Sequence, residues 1–133
     1  MRILLLTIMV VFGGQIALAC KCIFITGKES ADLIFVGKVI SKGNKVGWSE
    51  TVFEVDSVYK GSLGKRVRFK MDYSNCSMSF LEDKRYVVYA VVCKQGRLDC
   101  RRRFAVSICS RTEELPVDNS RPIQLRSDGG GSL

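Results

Sequence analysis

All six cysteines of this 133-residue chain lie beyond residue 19, and the first two stand one residue apart in Cys20-Lys21-Cys22. No other feature limits the fold as strongly. An even number of cysteines in a short exported chain reads as a disulfide framework, and six cysteines leave many pairings open. A Cys-x-Cys pair does not easily bridge to itself. Each member should therefore reach a distant partner, and the fold has to bring two remote points of the chain to residues 20–22.

Residues 1–19 carry the pattern of a secretory signal. Arg2 is the charged start, residues 3–12 are an apolar run broken by Thr7, and Gly13-Gly14 end it. Ala17-Leu18-Ala19 is a small-x-small cleavage site directly before Cys20. The apolar run is too short to span a bilayer, and no later segment is long enough, so no membrane span is expected. The expected location is the extracellular space or extracellular matrix. Cleavage at this site makes Cys20 the new N-terminus, with a free α-amine. The alternative is acylation, since lipoproteins are also cut before cysteine. Such sites usually place Leu three residues before it, whereas here Ala17 stands there and Leu18 comes later.

Removing 19 of 133 residues leaves 114, enough for one domain, expected over residues 20–125. The tail, residues 126–133, has nothing apolar to pack except its last residue and is expected to be disordered. The chain has no histidine, which removes Ser-His and Cys-His nucleophilic catalysis and any histidine metal site. The acidic pairs Glu82-Asp83 and Glu113-Glu114 have no catalytic companions. The chain reads as a non-enzyme without a cofactor of its own. Its formal charge of +8, one less without Arg2, suits contact with sulfated glycans or acidic surfaces, and equally suits mere solubility.

Residues 33–40 read as a strand with Leu33, Phe35 and Val39 on one face, and Gly37 marks a bulge within it. Lys42-Gly43-Asn44 reads as a turn. Residues 51–59 form a second strand, with Phe53, Val55 and Tyr59 on one face, ended by Lys60-Gly61. Val67, Phe69 and Met71 alternate with Arg66, Arg68 and Lys70, the clearest period of two in the chain. Residues 86–92 are continuously apolar, as in a strand covered on both sides. Phe104, Val106 and Ile108 alternate with Ala105 and Ser107. Five short strands in roughly 80 residues favour an all-β Greek-key barrel of the OB type. Two short flanking helices are expected, one capped by Thr26 with Glu29 in capping-box spacing, the other within residues 113–120.

Several stretches fall in a telling order: Cys20-Lys21-Cys22, Asp32-Leu33-Ile34-Phe35-Val36-Gly37-Lys38-Val39, Val58-Tyr59-Lys60-Gly61, Asn75-Cys76-Ser77, Tyr86-Val87-Val88-Tyr89-Ala90 and Ser107-Ile108-Cys109-Ser110. Together they resemble the N-terminal, netrin-like domain of the tissue inhibitors of metalloproteinases. The resemblance implies an OB-fold barrel. It implies a secreted, monomeric inhibitor of zinc metalloendopeptidases of the matrix type, whose first cysteine chelates the target's catalytic zinc through its α-amine and carbonyl oxygen. Carried over, Cys20 is the chelating residue and Lys21 enters the pocket beside the zinc. Cys22, Ile23, Asn75, Cys76 and Ser77 complete the contact ridge. The resemblance also implies the bridges Cys20–Cys76 and Cys22–Cys109, leaving Cys93 with Cys100 around a Gln95-Gly96 hairpin.

Several departures stand out. No cysteine-rich second domain is expected, and the family's third domain-internal cysteine pair, whose first member lies early in the chain, has no counterpart. Ile23-Phe24 replaces the usual proline. Lys21 occupies a position where small or hydroxyl side chains are usual. Burying an unpaired ammonium costs several kcal/mol, so either Lys21 snorkels outward, the target pocket is acidic, or inhibition of ordinary matrix metalloproteases is weak.

The rival expectation is a netrin-like binding module whose Cys-x-Cys is only a staple. Arg66, Arg68 and Lys70 on one strand face, with Arg101-Arg102-Arg103, would then hold heparan sulfate. Aromatic interleaving for nucleic acid is poor, so no nucleic-acid partner is expected. Asn75-Cys76-Ser77 is formally a glycosylation sequon, although a disulfide at its centre opposes its use.

Overall fold

The longest strands are β1 (Leu33–Lys45) and β2 (Trp48–Lys60), 13 residues each, which run antiparallel. In the computed structural model the described residues are 20, 22, 25–72, 76–92, 104–117 and 121–129. They form an all-β fold, completed by β3 (Arg66–Asp72), β4 (Arg85–Val92), β5 (Phe104–Ala105) and β6 (Glu113–Glu114). The strand order is β3-β2-β1-β4-β5, with β6 pairing β4 beside β5. Phe69 of β3 and Phe104 of β5 bring their ring centroids to 6.5 Å, so the first five strands make a nearly closed barrel.

β1 is paired on both sides, by β2 and by β4, and must curl to serve both. The register with β2 slips at three places, between Ile34/Phe35, Val36/Gly37 and Val39/Ser41. Bulges of this kind bend a strand and deepen its twist. Gly37 sits at one of them, where an added Cβ would lie 2.8 Å from the Glu54 carbonyl oxygen. The close backbone approach, as well as the bend, therefore excludes a side chain there. The same slips overturn one expectation. Phe53 and Val55 face the interior, but Tyr59 is 46% exposed. It is skipped in the pairing between Val58 and Lys60, and this breaks the alternation that would have carried it inward.

A second correction concerns Lys42-Gly43-Asn44. The ladder continues through all three, to Lys45 opposite Trp48, and only Val46 and Gly47 are left to reverse the chain. Gly47 has a φ of 77°. Turn-forming residues do not break a strand whose partner keeps offering backbone groups.

The barrel interior is aromatic. Phe53 meets Phe35 at 5.4 Å, Phe69 at 5.8 Å and Phe80 at 4.9 Å, each edge to face. Such pairs add about 0.5–1.5 kcal/mol each beyond the area they bury. Leu33, Val39, Met71, Tyr86, Val88 and Val106 fill the rest of this interior. A smaller cluster lies outside the barrel wall, where Ala31, Ile34, Val36, Val87 and Tyr89 are covered by Leu115, Ile123 and Leu125. β4 thus buries both of its faces, as its unbroken apolar run requires.

No helix occurs among the described residues, so the two flanking helices expected from the sequence are not supported there. After Thr26 the chain makes one turn, in which the Ala31 N–H donates to the Gly27 carbonyl at 2.9 Å, and then enters β1. The Thr26 N–H, which a capping box would use, instead donates to Cys109 at 2.9 Å. Glu113 and Glu114 form β6 in place of a helical turn, because β4 offers them a free edge beyond β5. Residues 118–120 lie outside the described residues.

The described part of the tail makes polar contacts with the rest of the chain. The Arg126 N–H donates to the Tyr89 hydroxyl at 2.8 Å, and the Lys28 N–H donates to the Arg126 carbonyl at 2.8 Å. The Asp128 carboxylate accepts the Gly27 N–H at 2.6 Å and the Ser30 N–H at 3.2 Å. Polar backbone contacts hold this segment, and hydrophobic pattern is blind to them. Residues 130–133 lie outside the described residues.

Candidate functional site

Three stretches far apart in sequence meet at the two bridges. Cys20 is joined to Cys76 with a Cα–Cα distance of 5.3 Å, and Cys22 to Cys109 at 5.4 Å. These are the two pairings that the family resemblance implies. Each closes a long loop, 56 and 87 residues apart in sequence.

Backbone bonds knit the same stretches together. The Ile108 N–H donates to the Cys76 carbonyl at 3.0 Å, and Ser77 and Ser107 form an isolated antiparallel bridge. Thr26 and Ser110 form a parallel one, through Thr26 N–H to Cys109 and Arg111 N–H to Thr26 at 2.8 Å. The Ser107 hydroxyl accepts the Cys109 N–H at 3.2 Å. Cys22 and Cys76 are exposed, while Cys20 and Cys109 are half-buried. The bridges thus form a surface feature as well as a staple. Lys21, Ile23 and Asn75 belong to it by sequence and lie outside the described residues, as do Cys93, Cys100 and Arg101-Arg102-Arg103.

Sequence reasoning missed one residue here. Ile108 continues the alternation of Phe104 and Val106 in sequence. It is 47% exposed, because β5 ends at Ala105 and the backbone turns over residues 107–110 to meet Cys76 and Thr26. An exposed branched side chain beside Cys109 adds an apolar element to the surface of the bridges. Its only sequence signal is adjacency to a cysteine.

The basic strand is exposed as its alternation implies: Arg66, Arg68 and Lys70 all face solvent. Its charges are not all free. Arg68 approaches Glu50 at 3.4 Å, Lys70 lies 5.0 Å over the Trp48 ring, and Arg66 pairs in register with Glu54. β2 therefore offsets part of the charge that β3 displays, through Glu50.

The acidic pairs have structural partners. Glu113 approaches Arg126 at 3.3 Å, Glu114 approaches Lys84 at 3.5 Å, and Asp83 approaches Lys38 at 3.7 Å. Among the described residues no group of three or more His, Cys, Asp or Glu is placed to hold a metal ion. No described helix is long and apolar enough to cross a membrane. A groove of about 610 Å³, lined by residues that include Arg85, Glu113, Leu115, Arg121 and Ile123, shares no residue with the bridges.

Ionisation is perturbed where the two ends of the described chain meet. The Asp128 N–H donates to Glu29 at 2.6 Å, and this backbone bond is the main reason the Glu29 carboxyl sits below its ordinary range. Desolvation pushes the Asp128 carboxyl up. Hydrogen bonds from the Ser30 hydroxyl and the Ser30 and Gly27 N–H groups outweigh it, so the net direction is also down. Burial raises the Tyr89 phenol, against the opposing hydrogen bond from the Arg126 N–H.

Comparison with known proteins adds no family: no family model matches the chain, nor does any curated protein or solved structure.

Proposed function

We propose that this chain is a secreted inhibitor of zinc metalloendopeptidases, acting through the α-amine and carbonyl oxygen of Cys20 once processing has made that residue the N-terminus. The observation that carries this reading is the double tether. Cys20 and Cys22 are each bridged to a different remote segment, and those segments are bonded to one another through Ile108 and Cys76. A staple needs one bridge. Two bridges flanking a single residue restrict the orientation of the first three residues.

The chemistry suits that arrangement. An amine binds zinc through a free lone pair, and an α-amine, with a pKa of about 8, is partly neutral near pH 7, whereas a lysine amine at about 10 is not. The amine and carbonyl of one residue close a five-membered chelate, displacing the water that would attack the substrate. A floppy terminus would be ordered on binding at a cost of about 1–2 kcal/mol per residue. The bridges move that cost into folding, which is preorganisation. Lys21 would point beside the zinc, which favours a target whose pocket is acidic. The strand order, with β5 approaching β3, supports a netrin-like OB barrel as the scaffold.

A second reading rests on β3. Arg66, Arg68 and Lys70 are exposed along one strand, the spacing a sulfated glycan would meet. The ion pair of Arg68 with Glu50 offsets part of this charge and ranks this reading below the first.

The test compares the secreted protein with a form carrying one additional N-terminal Ala, against a panel of zinc metalloproteases. The N-terminus of each is first read by mass spectrometry. The natural protein should inhibit at least one protease and the extended form should not. Equal inhibition by both, or a mature start other than a free Cys20, overturns the chelation mechanism. Salt-dependent retention on heparin without inhibition would favour the second reading.

A further inference from the structure

The segment that follows Cys22 is held from a second side, by the end of the described chain. Residues 121–129 run back across the outer cluster, where Ile123 and Leu125 pack. They then cross residues 25–30. Lys28 N–H donates to the Arg126 carbonyl, Arg111 Nε donates to the Ser127 carbonyl at 3.2 Å, and Gly129 lies against Ile25. The crossing is tight, since a Cβ on Gly27 would overlap the backbone of Ser127 and Asp128.

The bonds around Asp128 are reciprocal. Its carboxylate takes two N–H groups from the turn, Gly27 and Ser30, and its own N–H goes to the Glu29 side chain. A carboxylate that accepts two amides from one turn holds the direction of that turn. Without it the turn keeps the single internal bond from Ala31 to Gly27. Thr26, immediately before the turn, is the residue bonded to Cys109 and Arg111, and Cys22 is bridged to Cys109. The direction of the turn is thereby passed to the bridged terminus over a few residues.

We infer that Asp128 is a positioning residue for the inhibitory terminus, clamping the turn at residues 27–30 so that the segment carrying Cys20 and Cys22 keeps one orientation. This rests on the inhibitor reading above. The clamp adds a further point of attachment to the two bridges and to the backbone bonds of Thr26 with Cys109 and Arg111.

The experiment compares the natural protein with Asp128→Ala and Asp128→Asn. It reads amide hydrogen exchange by NMR together with the inhibition constant and dissociation rate for the most strongly inhibited protease. Asp128→Ala should speed exchange at Gly27 and Ser30 while leaving β1 and β4 amides protected, and should weaken inhibition about tenfold, mainly through faster dissociation. Asp128→Asn, which keeps an acceptor oxygen, should recover most of that loss. Faster exchange at Gly27 and Ser30 with unchanged inhibition overturns the positioning role and leaves chelation standing. Unchanged exchange in Asp128→Ala overturns the clamp itself. If the natural protein inhibits no protease, the inhibitor reading fails and the positioning role falls with it, whatever the exchange rates show.

Discussion

The backbone N–H of Thr26 donates to the carbonyl oxygen of Cys109 at 2.9 Å, four residues after Cys22 is bridged to that same cysteine. Cys109 therefore holds the early chain twice, once covalently and once by hydrogen bond. The second attachment sets the direction in which the chain leaves the first.

Removing the bridge should cost stability as well as orientation. The loop it closes spans 87 residues, for which chain entropy gives about 4–5 kcal/mol. The paired variant Cys22→Ser, Cys109→Ser should lower the urea midpoint by a corresponding amount without altering the dependence on native barrel contacts. A midpoint within error of the natural protein would show that the bridge adds orientation alone.

Phe53 is the centre of the aromatic interior, touching Phe35, Phe69 and Phe80. It is fully buried. Phe53→Ala should cost about 3–5 kcal/mol, the range for emptying a large core site. Equilibrium urea unfolding measures this, and a loss under about 1 kcal/mol would mean that the rings collapse into the gap.

Thr51 is fully buried on β2, and its hydroxyl has no hydrogen-bond partner among the described residues. An unmet buried hydroxyl costs about 1–3 kcal/mol. Thr51→Val keeps the branched shape that suits a strand and removes the polar atom. The variant should melt at the same temperature as the natural protein or higher. A clear drop would reveal a partner for that hydroxyl.

Acid should loosen the contact between residues 27–30 and 126–128 before it unfolds the barrel. Glu29 and Asp128 both have carboxyls held below their ordinary values in the folded chain. Their contribution is complete above the unfolded carboxyl range of about 4 and is lost as pH falls through the lower, folded values. The charged groups around them are the cations Lys28, Lys60, Arg111 and Arg126. Amide exchange at Gly27 and Ser30, corrected for the intrinsic pH dependence, should lose protection between pH 5 and the acid limit while β4 keeps its own. Parallel loss in both regions would show that the contact melts only with the whole fold.

The strands were legible wherever alternation was local. Val67, Phe69 and Met71 needed only the residues between them, and the apolar run of β4 announced that both its faces would be covered. The errors share a cause. Tyr59 and Ile108 each continue a good alternation, but a bulge skips one and a turn redirects the other, and neither event leaves a periodic trace. Lys42-Gly43-Asn44 has turn composition and is nevertheless paired, because the partner strand decides whether a strand ends.

By itself the sequence determined a disulfide-bearing all-β chain whose Cys-x-Cys must be anchored at two distant points. It did so because side-chain period and cysteine spacing are local quantities. Only the tertiary structure decided that Ile108 lies on the surface beside Cys109, and that Asp128 returns to the turn at Gly27. Those two residues are 101 positions apart, joined by a backbone N–H and a carboxylate. A bond of that kind depends on where the folded barrel brings the chain ends, and no pattern of neighbouring residues encodes it.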